Sequence, residues 1–511
     1  DTIDKVFNKK RPDDRKTWLE HYDKDAYLDT RMQEVKYEEF IDREMIHFSA
    51  YDCARSIPNM VDGLKISQRK ILYSAFKRRL TSEIKVAQFS GYVSEHSAYH
   101  HGEASLNGAI VKIAQTFTGS NNINLLEPNG QFGTRLQGGD DAASERYIFT
   151  QLNSLTRAIF PEYDDAVLTY KDDDGTPVEP EYYVPIIPFC LMNGISGIGT
   201  GFSCEVPSYN PLDVVKYLRL KLQDQSIDCG GDFVPYYEGF KGSVERLNEH
   251  KFLIKGKYEN LGNDKVRITE LPIGTWTMPY IAFLEGLLDG VVDKRGKKSA
   301  PVIKDMVSMS TEVNVDITIT FPKGVLEKLN TQDQINGVEK MLKLATTVST
   351  TNMHMFNAES KLHKYESVEE IIEDFYNTRI QLYQTRKNSQ IKHMERVLMK
   401  LSNRARYILD TLSGKVDLRK KKNLEVQEML ENLKYDKLDG DFKYLIKMPM
   451  DSVTEEHVAH ILKEKADTEL ELDVLKKTTP NEMWLKELVV FEKEYDKYKQ
   501  KRSNLNKTTT K

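Results

Sequence analysis

The stretch RSIPNMVDGLKISQRKILYSAFKR, residues 55–78, decides the first part of the fold. Apolar residues recur at helical spacing on both sides of its turn: Ile41, Met45, Phe48 and Cys53 form one stripe, and Ile71, Leu72, Ala75 and Phe76 form another. Pro58 and the Asp62–Gly63 pair interrupt the periodicity with a turn signal. The pattern predicts a helix–turn–helix arrangement with Ser67 as the N-cap of the second helix.

Basic residues are concentrated in the same region. Against one acid, Glu83, the segment 65–85 holds seven of them: Lys65, Arg69, Lys70, Lys77, Arg78, Arg79 and Lys85. A lone charge run is usually a solvated helix face. This run lies between Arg55 and the histidines of EHSAYHHGE, residues 95–103, and that position favours a surface that faces phosphates.

A possible nucleophile follows in RLQGGDDAASERYIFT, residues 135–150, where Arg146 directly precedes Tyr147. A phenolic oxygen can attack a phosphodiester when fixed positive charge faces the phosphate oxygens. Because the chain holds 26 tyrosines, an isolated Arg-Tyr pair usually means a packed ring and a salt-bridged arginine. Arg55, the basic run and the histidines shift the balance towards catalysis, since a phenol with a pKa of about 10 needs a base or local positive charge.

Other motifs give weaker signals. HSAYHH lacks a matching Cys/His pair at zinc-finger spacing, and DDDG, residues 172–175, lacks the following glutamate of a calcium loop. GISGIGTG, residues 194–201, has no strand–helix context for phosphate binding. Ile198 in this glycine turn is either an exposed wedge that could enter a DNA duplex or a buried turn residue, and the residues alone favour neither.

Length indicates a multidomain protein, and the mixture of helical and alternating segments along the chain places it in the α+β class. The 511 residues suffice for about three or four domains of ~150 residues. No run of eighteen apolar residues occurs, so no membrane span is expected. Cys53, Cys190, Cys204 and Cys229 have no metal-ligand spacing and indicate reduced thiols of an intracellular protein. A start at Asp1, without methionine or a signal-peptide pattern, is what we expect of a fragment.

The pattern of apolar residues changes twice in the remaining chain. Alternating segments such as SVERLN, KFLIKGKYE, KVRITELP and VNVDITITFP predict a β-rich domain with hairpins. Apolar residues then recur at spacings of three and four and form a seam: Ile391, Met394, Leu398, Leu401, Ala405, Ile408 and Leu412. This seam predicts an antiparallel coiled coil, in which a long helix is followed by a small helical cap and a second helix that runs back. A generic dimerisation or spacer rod fits this pattern equally well. A rod of this length cannot end in solvent with Trp484 and Phe491 exposed, so its tip should carry a two-fold, self-complementary interface.

Several long strings make the chain similar to a known family. The segments at 55–78, 86–106, 118–150 and 191–203 (LMNGISGIGTGFS) closely resemble the DNA breakage–reunion core of eukaryotic-type type IIA DNA topoisomerases, including those of large DNA viruses. The resemblance implies a connecting segment over 1–45, a winged-helix domain over 46–185, a β-rich tower domain over 186–362 and a coiled-coil C-gate over 363–511.

Site roles follow from the same resemblance, residue by residue. Tyr147 matches the nucleophile that forms a 5′-phosphotyrosine, Arg146 its neighbour, Arg55 the arginine of RSIP and His101 the second histidine of HHGE; Ile198 matches the isoleucine that intercalates in DNA. The wider set expected to contact DNA is Lys65, Gln68, Arg69, Lys70, Lys77, Arg78, His96, His100, Arg135 and Ile198. The sequence has SQRK and GGDDAA where the family commonly has GQRK and GGKDAA, so Ser67 and Asp140 depart from its pattern.

The resemblance also implies partners outside these residues. The sequence contains neither EGDSA nor DxDxD, the acidic motifs with which the family's TOPRIM domain holds Mg²⁺, and no ATPase domain. We therefore expect Mg²⁺ and ATP to be bound by TOPRIM and ATPase domains of a longer protein, and this fragment alone to cleave poorly. Double-stranded DNA, a homodimer through the C-gate and a location in the nucleus, or in host nucleus or cytoplasm for a viral protein, are implied as well. The alternative is a non-enzymatic DNA-binding dimer built from a winged helix and a coiled coil.

Overall fold

A computed structural model describes residues 1–29, 31–224, 233–290, 301–329, 333–419, 421–449 and 454–508. The chain divides into two compact units, residues 1–379 with 487–511 and residues 380–486. Cys229 lies outside the described residues. The four-part division expected from the sequence stays a prediction.

Helices dominate the described residues up to 114. The α-helices are α1 (Thr2–Phe7), α2 (Pro12–Glu20), α3 (Tyr37–Phe40), α4 (Ile46–Ser56), α5 (Ile66–Arg78), α6 (Val86–His96) and α7 (Glu103–Ala114), and a π-helical turn, Ile41–Met45, joins α3 to α4. The predicted helix–turn–helix is confirmed in α4 and α5. Ser67 is not its N-cap, because the helix begins earlier: Lys65 is extended, and Gln68 Oε1 accepts a hydrogen bond from the Lys65 N–H at 2.9 Å.

The N-terminal segment has more core than its charged sequence indicates. Trp18 and Leu19 of α2 are buried, and the Trp18 indole donates to Asp42 at 2.8 Å. Phe48, by contrast, is 67% exposed although it belongs to the predicted apolar stripe of α4. Helical periodicity predicted the correct element but the wrong orientation for this ring, because a stripe broader than the buried face leaves one edge in solvent.

Short strands organise the segment that contains Tyr147. Strand β1 (Ile84–Lys85) pairs antiparallel with β2 (Phe149–Thr150), so the residues after Tyr147 lie beside the start of α6. Helix α8 (Thr156–Ile159) follows, and then a hairpin of β3 (Tyr170–Asp173) and β4 (Thr176–Pro180). The DDDG sequence forms its turn, where Gly175 N–H donates to the Asp172 carboxylate at 2.8 Å.

The middle of the chain is β-rich, as predicted. Its elements are β5 (Ile195–Ile198), β6 (Ser203–Val206), α9 (Pro211–Leu222), β7 (Ser243–Asn248), β8 (Lys251–Lys255), β9 (Lys257–Gly262), β10 (Lys265–Glu270), α10 (Thr277–Asp289), β11 (Asp305–Ser308), β12 (Ile317–Thr320), α11 (Val325–Leu329), α12 (Gly337–Met341), β13 (Ala345–Ser349), β14 (Met353–Phe356) and β15 (Leu362–Tyr365). The sheet orders are β11-β12-β10-β9, β13-β8-β7 and β15-β14-β6-β5. Val266 and Ile268 on β10 and Ile317 and Ile319 on β12 are fully buried in one core with Leu284 of α10.

The helical arm follows the predicted order of helix out, small cap and helix back. It comprises α13 (Val368–Leu412), α14 (Asn423–Asn432), α15 (Lys443–Ile446), α16 (Glu455–Lys477) and α17 (Pro480–Thr508). Leu401, Ala405 and Ile408 of the predicted seam are buried against Val458 and Ile461 of α16. Lys476 pairs with Glu395 at 2.8 Å, so later residues of α16 meet earlier residues of α13 and the pair is antiparallel.

Three residues of the arm depart from the sequence interpretation. Leu412, the last seam position, is 49% exposed, because the packing against α16 ends before it. Trp484 and Phe491 are fully buried within the chain. The Trp484 ring lies 5.5 Å from that of Tyr383, so the dimer argument based on its exposure is wrong. None of the described helices combines the length and apolarity that crossing a bilayer requires.

Close packing at Gly197 sets the position of the end of β5, where Ile198 lies. A methyl group at Gly197 would lie 2.2 Å from the Ser56 carbonyl oxygen at the end of α4. We expect Gly197→Ala to lower the free energy of unfolding by about 1–3 kcal/mol, as overpacking does. Thermal or denaturant unfolding measures this.

Gly286→Ala is the matched control for that measurement. Nothing lies within 4 Å of a methyl group at this exposed position inside α10. The control should gain about 0.5–1 kcal/mol, because glycine is unfavourable in a helix interior. Equal effects of the two substitutions would contradict the close contact at Gly197.

Candidate DNA-cleavage site

A cleft of about 250 Å³ brings Arg55 and His101 together. Its walls come from α4, α5, the turn after α6 and the β3–β4 hairpin; its polar lining includes Tyr51, Arg55, Lys70, His100, His101 and Asp173. We call it the Arg55–His101 cleft. The sequence interpretation placed Arg55 and His101 at one site, and their joint presence in the lining supports that expectation.

The turn after α6 determines where His101 lies. Ser97 closes the helix, with its N–H and its hydroxyl both donating to the Val93 carbonyl, at 3.0 and 2.6 Å. Ala98 then adopts a left-handed conformation with φ 48°, which reverses the chain. Lys70 of α5 donates to the Ser97 carbonyl and so holds this turn against the helix–turn–helix.

The imidazole of His101 has two aromatic neighbours. Tyr51 Oη lies 2.7 Å from His101 Nε2, and the Tyr99 ring meets the imidazole edge-on at 5.3 Å between centroids. Burial lowers the pKa of His101, and the positive charge of Arg55 lowers it further. The ring is therefore mostly neutral at pH 7, which suits a hydrogen-bonding partner for a phosphate better than a permanent cation.

Tyr147 is an exposed residue that does not line this cleft. Its side chain is 72% exposed, and the Arg146 guanidinium stands 5.9 Å from its ring centroid. Neither residue lines the Arg55–His101 cleft. The tyrosine that the sequence singled out is thus accessible and has an arginine beside it, and of the four proposed catalytic residues only Arg55 and His101 line the Arg55–His101 cleft.

The loop before Tyr147 is anchored to the β-rich region. Arg135 pairs with Glu270, and both side chains are buried. Backbone hydrogen bonds from Thr277 and Met278 to the carbonyls of Arg135 and Leu136 add to this attachment, at 3.2 and 2.9 Å. Arg135 was expected to contact DNA; its guanidinium is instead committed to a buried carboxylate, so the structure does not support that expectation.

Arg69 requires the same correction. It is 4% exposed, and its guanidinium makes two hydrogen bonds to Asp62, at 2.6 and 3.0 Å. The basic run led us to expect a phosphate contact, because a sequence does not reveal which cations of a helix point inward. Lys70 is also occupied, since it donates to Glu179 at 2.7 Å.

The other expected DNA contacts vary in accessibility. Lys77, Arg78 and His100 are exposed, and Arg78 lies over the Tyr92 ring at 4.9 Å. His96 is partly buried, stacks on the same ring and points Nδ1 at the Tyr92 carbonyl. Lys65 and Gln68 line a second cavity, of about 530 Å³, with Lys112 and Ser196. Burial lowers the pKa of Lys65.

Ile198 is the most exposed large apolar side chain of this region, at 81%. The loop beneath it packs on α4: the Cys53 thiol donates to the Thr200 carbonyl at 3.2 Å. A methyl group at Gly199 would lie 3.1 Å from Cys53 Cα. Of the two interpretations left open by the sequence, a buried turn residue and an exposed tip, the structure gives the exposed tip.

Sequence reasoning missed two residues of this region. Tyr51 lines the Arg55–His101 cleft, and its helical position four residues before Arg55 could have indicated this. Asp62, interpreted only as part of a turn, is the buried acceptor for Arg69. Across the described residues, no three His, Cys, Asp or Glu side chains are grouped so that they could hold a metal ion.

Comparisons with known proteins show which family the chain is similar to. Residues 55–490 match the family model for the A-type subunit of DNA gyrase/topoisomerase IV, and residues 1–53 match that for the C-terminal associated domain of TOPRIM. The second match extends past residue 45, where the predicted connecting segment ends. A crystal structure of the Plasmodium falciparum topoisomerase II DNA-binding, cleavage and re-ligation domain is similar, with a TM-score of 0.88 and 38% identity over 99% of this chain and 70% of that one.

Curated proteins with similar sequences belong to the same family. DNA topoisomerase 2 of Plasmodium falciparum is 38% identical over 96% of this chain and 36% of its own length. DNA topoisomerase 2 of Arabidopsis thaliana is 39% identical over 97% of this chain and 36% of its own length. The chain belongs to the DNA gyrase/topoisomerase IV family of type II DNA topoisomerases. It spans about a third of the length of these curated relatives.

The buried position of Arg69 leads to a stability prediction. Arg69→Leu leaves the Asp62 carboxylate buried without its cation, and we expect a loss of about 3–5 kcal/mol in the free energy of unfolding. Denaturant unfolding at pH 7 measures it. Arg267→Leu is the control, because Arg267 also makes two hydrogen bonds to one aspartate, at 2.8 and 2.7 Å, but is 44% exposed.

The control should cost below about 1 kcal/mol, because solvent screens an exposed pair. A loss of that size for Arg69→Leu as well would mean that Asp62 and Arg69 are accessible to water, and Arg69 would again be a candidate for phosphate contact.

Proposed function

We propose that this chain is the DNA breakage–reunion region of an ATP-dependent type II DNA topoisomerase. In such an enzyme one duplex is cut transiently so that a second can pass, which changes supercoiling and unlinks DNA. The observation that carries the proposal is Tyr147, an exposed phenol beside Arg146 on a loop held by the buried Arg135–Glu270 pair. An anchored loop suits a nucleophile, because small displacements of a reacting atom cost large factors in rate.

The proposed chemistry is a transesterification at phosphorus. The Tyr147 oxygen loses its proton and bonds to the phosphorus of a DNA phosphodiester; the bond from phosphorus to the 3′ oxygen breaks, and that oxygen takes up a proton. The product is a 5′-phosphotyrosine and a free 3′-hydroxyl, and the reverse reaction reseals the strand. Because the bond energy is kept in the phosphotyrosine, resealing needs no other energy source.

Arg146 and Arg55 are proposed to stabilise the charge that develops on the phosphate oxygens. His101 is proposed as a neutral hydrogen-bond donor to the same phosphate, in keeping with its lowered pKa. Since Tyr147 does not line the Arg55–His101 cleft, we infer that bound DNA joins the two: one phosphate meets the cleft while the phenol approaches from its exposed loop.

The proposed DNA surface is smaller than the one expected from sequence. Lys77, Arg78 and His100 are exposed and remain in it, together with Lys65, His96 and Ile198. Gln68 and Lys70 contribute to this surface indirectly: Gln68 caps the start of α5, and Lys70 forms part of the wall of the Arg55–His101 cleft. Arg69 and Arg135 are left out, because a guanidinium that satisfies a buried carboxylate cannot also neutralise a phosphate.

We also propose a homodimer through the C-gate. Exposed apolar side chains on α16 support this dimer: Leu462, Leu470 and Val474 are 47–68% exposed. Apolar residues repeated along one exposed helix are unfavourable in water and typical of a covered surface. Family membership disfavours the alternative of a non-enzymatic DNA-binding dimer.

The full-length protein is proposed to supply the remaining functions. TOPRIM acids would hold Mg²⁺, whose charge assists the phosphate chemistry when it is bound, and an ATPase domain would couple nucleotide hydrolysis to strand passage. We infer an intracellular location where the genome is found, the nucleus for a cellular eukaryotic protein and the host nucleus or cytoplasm for a viral one.

Loss of the phenolic oxygen is the direct test. In the full-length protein, Tyr147→Phe should abolish the covalent adduct with DNA while DNA affinity stays within a few-fold of wild type, because the ring remains and only the nucleophile is lost. Denaturing electrophoresis of end-labelled DNA detects the adduct, and fluorescence anisotropy measures binding.

Tyr163→Phe is the control for that experiment, since Tyr163 is 69% exposed and should retain full adduct formation. A 5′-linked adduct formed by Tyr147→Phe would exclude Tyr147 as the nucleophile. No adduct from the wild-type protein would instead exclude the proposed function.

Ile198 leads to a prediction about DNA shape. An apolar side chain inserted between base pairs unstacks them and bends the duplex, so Ile198→Ala should lower the bend angle measured by fluorescence energy transfer between the DNA ends. Leu261→Ala, which truncates a half-exposed side chain on β9, should leave the bend unchanged. An unchanged angle in Ile198→Ala would mean that Ile198 stays outside the duplex.

A further inference from the structure

Tyr51 on α4 has no role among the residues proposed above for DNA cleavage. It lies one helical turn before Arg55, so both side chains project from the same face of the helix into the Arg55–His101 cleft. Its side chain is half-exposed. Its hydroxyl lies 2.7 Å from His101 Nε2, a residue fifty positions later in the chain.

That contact bears on the chemistry of His101, because the two ring nitrogens of a neutral imidazole have different roles. One nitrogen carries the proton and donates; the other accepts, and the hydrogen bond made by one fixes the role of the other. His101 is mostly neutral at pH 7, since burial and Arg55 lower its pKa. Within the described part of the chain, Nδ1 of His101 makes no hydrogen bond.

We propose that Tyr51 is a positioning residue for DNA cleavage: its hydroxyl donates to Nε2 of His101 and fixes the tautomer whose Nδ1–H donates to a DNA phosphate oxygen. This inference rests on the proposed function and assigns a new residue to it. Tyr51 itself touches neither the phosphate nor Tyr147.

The surroundings explain why a fixed tautomer matters here. Arg55 already places a full positive charge in the cleft, and a second cation at His101 would be repelled by it. A neutral donor adds a directed hydrogen bond without that cost. The Tyr99 ring, edge-on at 5.3 Å, limits rotation of the imidazole, so a tautomer set by Tyr51 also sets the direction of the Nδ1–H bond.

The first measurement is single-turnover adduct formation by the full-length protein carrying Tyr51→Phe. We expect the cleavage rate to fall about tenfold, the effect of losing one modest hydrogen bond in the transition state, with DNA affinity unchanged. The phenylalanine keeps the ring and its packing.

Tyr22→Phe is the matched control. It removes another tyrosine–histidine hydrogen bond, from Tyr22 to His47 at 3.1 Å, outside the Arg55–His101 cleft. The cleavage rate of this variant should equal that of the wild type. A tenfold loss in the control as well would mean that the effect of Tyr51→Phe comes from general destabilisation, and the assignment would fall.

A second measurement separates positioning from a merely structural role. If Tyr51 acts through the imidazole, Tyr51→Phe should cause no further loss of cleavage rate in a His101→Ala background. The ¹⁵N chemical shifts of the His101 side chain should show protonated Nδ1 in the wild type and a mixture of tautomers in Tyr51→Phe.

Besides a loss in the control, two results would overturn the assignment of Tyr51: an unchanged cleavage rate in Tyr51→Phe, or the same tenfold loss with and without the imidazole. Both require that the wild-type protein forms its adduct through Tyr147. Absence of that adduct, or its persistence in Tyr147→Phe, would reject the proposed function itself, so the two failures are distinguishable.

Discussion

The buried carboxylate of Asp62 is the constraint on which this site depends. It accepts two hydrogen bonds from Arg69, one from the Leu64 N–H and one from the Tyr183 N–H, all between 2.6 and 3.0 Å. One side chain thereby closes the turn between α4 and α5 and attaches a segment more than a hundred residues later. Arg55 and Lys70 lie on either side of that turn. The buried, fully hydrogen-bonded Asp62 carboxylate therefore fixes the positions of two residues that line the cleft.

Much of the fold could be predicted because its signals are local. The helix–turn–helix, the alternating strands around β10 and the seam of α13 each appear as a spacing of apolar residues within a short window. Burial of individual charges was not predictable in this way. Arg135 has its partner, Glu270, 135 residues further along the chain, and no local pattern distinguishes that arginine from one in solvent.

The site was predictable in part for the same reason. Arg146–Tyr147 and HHGE are contiguous motifs, and the resemblance assigned their roles directly. Tyr51 contacts His101 across fifty residues, and only the structure reveals the pair. Trp484 and Phe491 show the opposite error: large apolar residues on a helix suggest a dimer interface, but the chain itself covers them.

The burial of Cys53 has a practical consequence for labelling experiments. Burial, together with the nearby Asp52 charge, raises the pKa of this thiol to about 12, and burial raises that of Cys204 to about 12 as well. Thiolates are the species that maleimides and iodoacetamides attack, so both residues are protected against these reagents at neutral pH. Cys190 is fully buried, and its pKa is also raised. An extra cysteine placed on the exposed end of α5 can therefore carry a fluorophore with little background from these three thiols.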